Sequence, residues 1–259
     1  MMNQEELEII LKEHRLWLES EGEHGEKADL RNANLRGASL RKADLYKANL
    51  RGADLREAKL ECAELRRANL KGAELYRADL RWANLGESKL YEADLYKANL
   101  QNADLEEANL QGADLRKADL KWANLRRASL RGAKLQYADL YKANLENADL
   151  YKADLTEAEF IEADLRYATL EKANLYKANL YKANLAEAYL IGADLRDANL
   201  GNADLRKTYL TKTNLSGASL KNSKIEGAFF KETKVCKKNY DYLTSLGVNK
   251  ENLILIEGE

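Results

Sequence analysis

The sequence predicts an all-β solenoid built from a five-residue repeat. Leucine occupies every fifth position from Leu30 to Leu220 except at Phe160, and Ile225 and Phe230 continue the same register. Alanine stands two residues before almost all of these positions. An unbroken short period is typical of solenoids, in which each repeat packs against its neighbours along the axis.

The period of five favours strands over helix. Five residues advance an α-helix by about 500°, roughly 140° past a full turn, so the leucines would spread around every face. In an extended chain, an alanine and a leucine two residues apart point to the same side, and the residue between them points outward. Each unit, such as residues 43–47, is therefore predicted to be a very short strand followed by a bend.

The two residues after each leucine are predicted to form the bend. Eight glycines occupy the second of these places, where a turn with positive φ favours glycine. They are Gly37, Gly52, Gly72, Gly112, Gly132, Gly192, Gly217 and Gly227. The chain contains no proline, as expected if backbone amides donate to strands stacked above and below.

The recurring unit A-(D/N)-L-X-X, as in residues 48–52 and 113–117, resembles the pentapeptide repeat family. The resemblance extends over nearly all of residues 27–235. It implies a right-handed β-helix of square cross-section with four pentapeptides to a coil. About ten such coils would form a shaft roughly 50 Å long, since neighbouring strands lie about 4.8 Å apart.

If a coil has twenty residues, residues twenty apart form a column along the shaft, and opposite charges are expected to alternate within a column. One column alternates fully and a second alternates in part: Glu106, Arg126, Glu146 and Arg166, then Arg67, Glu87, Glu107 and Arg127. Two pairs do not alternate: Arg36 with Arg56, and Arg31 with Arg51.

The two ends of the chain lack the repeat and are predicted to cover the exposed strand edges of the shaft. We divide the chain into an N-terminal capping helix and entry loop (1–26), the β-helix (27–235) and a C-terminal cap (236–259). In the first segment, Asn3 is a candidate N-cap for a helix that runs to about Ser20. Its apolar face is formed by Leu7, Ile10, Leu11, Trp17 and Leu18.

At the C-terminal end, Phe229, Phe230 and Val235 are predicted to enlarge the last core layer. Beyond them, Tyr240 to Leu246 is predicted to form a short helix that ends at Gly247, and Leu253 to Ile256 to form a strand. If this apolar run does not fold back on the shaft, its exposure predicts a homodimer through the C-terminal end.

Composition argues against several classes of function. Lys and Arg number 42 and Asp and Glu 43, for a net charge of −1, which disfavours bulk attraction to nucleic acid or an anionic membrane. Cys62 and Cys236 lie at opposite ends of the repeat, so a disulfide between them is not expected. The sequence has neither a long apolar run nor the features of a signal peptide, and we expect a cytoplasmic protein.

The sequence offers no pattern typical of a catalytic, cofactor or metal site. The only histidines are His14 and His24, and no Cys or His pair has metal-ligand spacing. Asp and Asn exchange freely between the alanine and the leucine (Asp44, Asn49, Asp54), which favours a turn-supporting role over acid–base chemistry. We therefore expect a protein that is not an enzyme and has no small-molecule substrate.

Aromatic residues in shared columns form a candidate interaction surface. They are Trp82 with Trp122, Tyr76 with Tyr96, and Tyr189 with Tyr209. Exposed Trp and Tyr are enriched where proteins contact partners, but flat side chains also stack along a column and stabilise neighbouring coils. Both interpretations stay open from the sequence.

The family resemblance also implies an alternative to a non-enzymatic scaffold or interaction module. Some members mimic DNA and bind DNA gyrase or another topoisomerase, causing inhibition or quinolone protection. We label as faces A, B, C and D the outward residues around the Leu30, Leu35, Leu40 and Leu45 columns. Over residues 28–227, the net charges of these faces are +4, 0, +2 and −2. A 50 Å duplex carries about 30 negative charges, so this surface is too balanced to favour mimicry.

Overall fold

Parallel bridges join residues twenty apart along the whole repeat, from Asp29 with Asn49 to Asn214 with Lys234. In this computed structural model, which describes residues 2–256, one coil therefore consists of four pentapeptides. The four bridging residues of a coil mark the four faces, A to D. The repeat is thus a solenoid with a twenty-residue coil.

The backbone of each coil is hydrogen-bonded to the next. The amide of Leu50 donates to the carbonyl of Asn69 at 2.8 Å, and the amide of Asn69 donates to the carbonyl of Ala48 at 2.9 Å. The same two bonds recur on each face, so proline at either place would remove a bond between coils.

A β-turn closes each corner, with the amide of Ala53 donating to the carbonyl of Leu50 at 3.0 Å. Every fifth residue from Asn32 to Glu232 has a positive φ, and most of these residues are not glycine; Lys142, for example, has a φ of 54°. The predicted glycine position is therefore correct, but glycine is not required there. The bonds within the turn and between coils hold side-chain-bearing residues in a conformation that costs roughly 1–2 kcal/mol each.

Leucine and alanine fill the interior. The leucines from Leu30 to Leu215 are at most 1% exposed, and Phe160 is fully buried among them. Where threonine replaces alanine, its hydroxyl bonds to a backbone carbonyl, as from Thr213 to Leu190 at 2.8 Å. The buried hydroxyl of Ser88 has no such partner among the described residues.

Helix α1 (Gln4–Glu19) lies at the N-terminal end of the repeat. The side chain of Asn3 accepts a hydrogen bond from the amide of Glu6 at 2.6 Å, as the N-cap interpretation predicts. Leu7 is buried in the core of the shaft, and the amide of Met2 donates to the carbonyl of Asn34 at 3.0 Å. The remaining residues of the predicted apolar face are partly buried: Ile10, Leu11, Trp17 and Leu18.

His14 connects α1 to the first coil. Its buried Nδ1 accepts a hydrogen bond from the amide of Ala28 at 3.1 Å, and its ring stacks on Trp17 with centroids 5.7 Å apart. Burial lowers the pKa of His14, while the carboxylate of Asp44 acts in the opposite direction. Because Nδ1 accepts this bond, the imidazole is neutral, and its role is structural.

At the C-terminal end, strand β1 (Thr233–Val235) is followed by helix α2 (Lys237–Ser245), a 3₁₀ helix (Lys250–Asn252) and strand β2 (Leu253–Leu255). Strand β2 pairs in parallel with β1. The helix was predicted to begin at Tyr240, but α2 begins three residues earlier, at Lys237. The residue before it, Cys236, is extended and acts as the N-cap.

One further prediction about this end was wrong. Phe229 does not enlarge the core with Phe230 and Val235; it is 50% exposed, because it occupies the outward place between Ala228 and Phe230. The apolar run Leu253–Ile256 forms a strand as predicted, at Leu253–Leu255. It folds back on the shaft, because β2 pairs with β1 and Leu253 is buried. Ile254 and Leu255 nevertheless stay about two-fifths exposed, at 41% and 39%.

Candidate interaction surface

Trp82 and Trp122 lie on the corner between faces C and D, in one column with Asn102 between them. Both have a left-handed backbone with φ of 55°, and they are 55% and 48% exposed. Since two coils separate them by roughly 10 Å, their rings do not stack on each other. The guanidinium of Arg81 lies 5.7 Å from the Trp82 ring, and Trp122 meets Tyr141 edge-on with centroids 5.6 Å apart.

Tyr76 and Tyr96 stack on face B with ring centroids 5.7 Å apart. Arg77 also lies over Tyr76 at 5.2 Å, and Arg116 over Tyr96 at 5.4 Å. These rings are engaged by neighbours within the protein, through stacking and cation–π contacts. The pair therefore contributes to the packing of adjacent coils.

Tyr189 and Tyr209 stack on face A with centroids 4.8 Å apart and planes within 4°. Phe229 extends the stack, with its centroid 4.7 Å from that of Tyr209. Phe229 was predicted to be a core residue, so its place in this stack was not expected. The signal was available in the register, since Phe229 lies twenty residues after Tyr209, in the same outward place.

The six predicted residues therefore do not form one site. The structure brings together Tyr76 with Tyr96 and Tyr189 with Tyr209, but it places these pairs on faces B and A. The tryptophans lie on a third surface, the corner of faces C and D. We call Trp82, Asn102 and Trp122 the tryptophan edge.

Arginines two residues further along the chain neutralise many of the outward carboxylates. The guanidinium of Arg56 bonds to the carboxylate of Asp54 at 2.6 Å, and this bond lowers the pKa of Asp54. The Arg206 guanidinium lowers the pKa of Asp204 in the same way. The pairing recurs at Asp29, Asp79, Asp114, Asp164 and Asp194.

Ion pairs between coils confirm the predicted charge columns. Arg126 lies 3.6 Å from Glu106 and 3.8 Å from Glu146, and Arg166 lies 3.3 Å from Glu146. Two further pairs connect Arg67 with Glu87 at 2.9 Å and Arg127 with Glu107 at 3.2 Å. These partly exposed pairs contribute little stability individually. They leave the surface a balanced mixture of charges.

Within residues 2–256, no cluster of three or more His, Cys, Asp or Glu residues could hold a metal ion. Cys62 and Cys236 are both free thiols, the first exposed and the second buried. None of the described helices is long and apolar enough to span a membrane.

The comparisons with known proteins match the repeat. A family model described as pentapeptide repeats matches in 8 copies, over residues 26–56, 48–86, 88–127, 123–160, 158–197 and 198–234. A search of curated proteins found no match.

Several solved structures are similar to this chain. One is HetL, a pentapeptide repeat protein involved in heterocyst differentiation regulation, from the cyanobacterium Nostoc sp. strain PCC 7120. It is 35% identical, the match covers 90% of this chain and 97% of that one, and the TM-score is 0.48. A pentapeptide repeat protein from the Arabidopsis thaliana thylakoid lumen is 31% identical. The match covers 52% of this chain and 77% of that one, and the TM-score is 0.32.

A trypsin-treated form of QnrB1, a plasmid-mediated fluoroquinolone resistance protein, is 16% identical to this chain. The match covers 81% of this chain and 95% of that one, with a TM-score of 0.51. At this identity, the similarity shows a shared fold alone.

Proposed function

The chain belongs to the pentapeptide repeat family, and from this membership we propose that it is a cytoplasmic protein-interaction scaffold. It is a non-enzymatic repeat module. The observation that carries the proposed interaction role is the tryptophan edge, where two large side chains stay about half exposed on a hydrogen-bonded shaft.

The proposed architecture is a right-handed, four-sided β-helix of about ten coils over residues 27–235. Residues 1–26 and 236–259 are its caps. The burial of Leu7 beneath the first coil supports the N-terminal cap, and the pairing of β2 with β1 supports the C-terminal cap. Such a shaft holds outward side chains at fixed spacing, which suits recognition of a partner without rearrangement.

The tryptophan edge is a better candidate for a partner than the tyrosine pairs. Each tyrosine pair stacks within the protein, so its stacking between coils explains its presence. The two indoles are too far apart to stack on each other, and they stay 55% and 48% exposed. Tryptophan is also the residue type most enriched where truncation weakens protein binding.

We expect the double substitution Trp82→Ala/Trp122→Ala to remove the protein's partner from affinity capture without unfolding the shaft. The matched control is Tyr137→Ala/Tyr167→Ala, because these residues are 52% and 42% exposed and occupy the same left-handed corner place in other columns. Circular dichroism checks that both variants stay folded. Recovery of the same proteins by the tryptophan variant and the wild type would show that the edge is not the site.

A homodimer through the C-terminal end is also proposed, now supported by the partial exposure of Ile254 and Leu255 on β2. Light scattering of the full chain is expected to give twice the monomer mass, and Ile254→Asp is expected to restore the monomer. A monomer mass for the wild-type chain at all concentrations would contradict the dimer. The DNA-mimic alternative gains no support, since many surface carboxylates are paired with arginine.

A further inference from the structure

The C-terminal end of the shaft is closed on face B and partly closed on face C. On face B, strand β2 pairs with β1. On face C, the side-chain amide of the buried Asn239 donates to the carbonyls of Leu215 at 3.1 Å and Ala218 at 2.8 Å. Helix α2 carries Asn239 and so holds this closure in place.

The other two faces end in open strand edges. One coil earlier on face D, the carbonyl of Ala203 and the amide of Leu205 both bond to the backbone of Lys224, at 2.9 and 2.7 Å. In the last coil, twenty residues later, the equivalent groups are the carbonyl of Ser223 and the amide of Ile225. No hydrogen bond from a residue in 2–256 reaches either of them.

Face A ends in the same way. The carbonyl of Thr208 and the amide of Leu210 bond to the backbone of Phe229 at 2.9 Å each. The corresponding groups in the last coil are the Ala228 carbonyl and the Phe230 amide. Within the described chain, neither takes part in a hydrogen bond. We call residues 223–225 and 228–230 together the open edge.

A cavity with a mixed polar and apolar lining adjoins the open edge. Its volume is about 400 Å³, and Ile225 and Phe230 line it from the last coil. Tyr242, Leu246 and Val248 line it from the C-terminal segment, and Leu246 is 49% exposed. A bound segment could therefore satisfy backbone groups and cover apolar side chains at the same time.

The solenoid register defines what fits. A strand stacked on the open edge places its inward side chains over those of the last coil, about 4.8 Å away. By register, a small residue lies above Ser223 and Ala228 and a large apolar residue above Ile225 and Phe230. Ile225 and Ala228 are half-buried, whereas Ser223 and Phe230 are already buried. The matching ligand is an extended segment with the pattern small-X-large, repeated after five residues.

The charged residues near the open edge indicate which charge the bound segment carries. Residues 206–259 contain ten Lys or Arg and six Asp or Glu, although the whole chain has a net charge of −1. Lys221, Lys224, Lys231 and Lys234 surround the open edge, and no ion pair within the described residues involves them. Glu226, which lines the cavity, and Glu232 are the acidic residues in the same stretch of sequence, 221–234. A net positive surface favours an acidic ligand and speeds its association.

We propose that the open edge binds an extended, acidic segment of a partner protein by β-strand addition. Helix α1 covers the first coil, so the N-terminal end of a second copy would have to lose this helix before stacking here. The proposal rests on the proposed role as an interaction module, but it uses a surface distinct from the tryptophan edge.

A peptide copied from the chain provides a suitable probe. Residues 103–110 (ADLEEANL) lie on faces D and A, carry the small-X-large pattern twice and contain three carboxylates: Asp104, Glu106 and Glu107. In fluorescence anisotropy, we expect the labelled peptide to bind saturably to the full chain. We expect the variant ADLRRANL, and added salt, to weaken binding.

N-methylation of the peptide tests strand addition directly. In a stacked coil, the amides of the outward residues donate to the coil below, whereas the leucine amides face away. Methylating the Asp and Asn amides removes two donors and is expected to weaken binding about tenfold or more. Methylating the two leucine amides is the matched control and is expected to leave binding nearly unchanged.

Protein variants locate the site. Leu246→Glu is expected to weaken peptide binding, whereas Ile9→Glu, at the opposite end and 62% exposed in the wild type, is not. The proposal is wrong if the peptide does not bind, if both N-methylated peptides bind equally, or if light scattering shows a dimer that the peptide dissociates. Failure of these assays with successful capture through the tryptophan edge would leave the interaction role intact.

Discussion

Replacing Phe160 by alanine is expected to lower the free energy of unfolding by about 3–5 kcal/mol. Phe160 is fully buried and is the one aromatic residue among the leucines from Leu30 to Leu220. Its amide donates to the carbonyl of Asn179 at 2.7 Å. Because such bonds hold each coil at a fixed distance from the next, the coils cannot close over the missing ring, and a cavity remains.

Denaturant unfolding followed by circular dichroism measures this effect. Phe160→Leu is the control, because leucine occupies the neighbouring places in the same column, Leu140 and Leu180. The leucine variant is expected to destabilise the protein less than the alanine variant, because leucine leaves a smaller cavity. Equal stability of the alanine and leucine variants would mean that the shaft relaxes around a cavity.

The repeat itself was predictable because its period separates inward from outward residues. Alanine and leucine two apart must share a side in an extended chain, and the buried columns follow from this. The number of pentapeptides in a coil does not follow from the period of five; it came from the family resemblance. The charge columns Glu106–Arg166 and Arg67–Arg127 provided a check within the sequence, and the ion pairs agree with it.

Phe229 shows where hydrophobicity misleads in such a fold. Register alone places it outward, and its ring is held by stacking on Tyr209 and not by core packing. The aromatic columns were predictable, but the coverage of each ring was not, because it depends on the rotamers of neighbours such as Arg77 and Arg116. The sequence therefore could not separate the tyrosine pairs from the tryptophan edge.

The caps were less predictable because they do not repeat. Helix α2 begins after Cys236, which provides no side-chain cap, so its start lacks a clear sequence signal. Nothing in the spacing of Asn239 indicates that its amide closes face C. The open edge on faces D and A could be recognised only after the partners of each backbone group in the last coil were known.

Asn239→Asp is expected to destabilise the protein by about 2–4 kcal/mol at neutral pH. The Asn239 side chain is 3% exposed and donates to two carbonyl oxygens. A carboxylate of the same shape cannot donate, and its charge would face the oxygens of Leu215 and Ala218. The folded state would therefore favour the protonated acid and raise the pKa of the new aspartate above the unfolded value of about 3.9.

This pKa shift determines the direction of the pH dependence. An acid whose pKa is raised on folding binds more protons in the folded state, so stability falls as pH rises above the unfolded pKa. The destabilisation by Asn239→Asp is therefore expected to be smallest near pH 4 and to grow towards neutrality, relative to the wild type at each pH.

Two variants separate this effect from simple loss of the amide or added charge. Asn239→Ala is expected to destabilise with no added pH dependence, because it leaves both carbonyls unpaired without introducing a titrating group. Asn222→Asp adds the same charge at an exposed corner of the same end and is expected to change stability little. If Asn239→Asp behaved like Asn222→Asp at every pH, the side chain of Asn239 would not close face C.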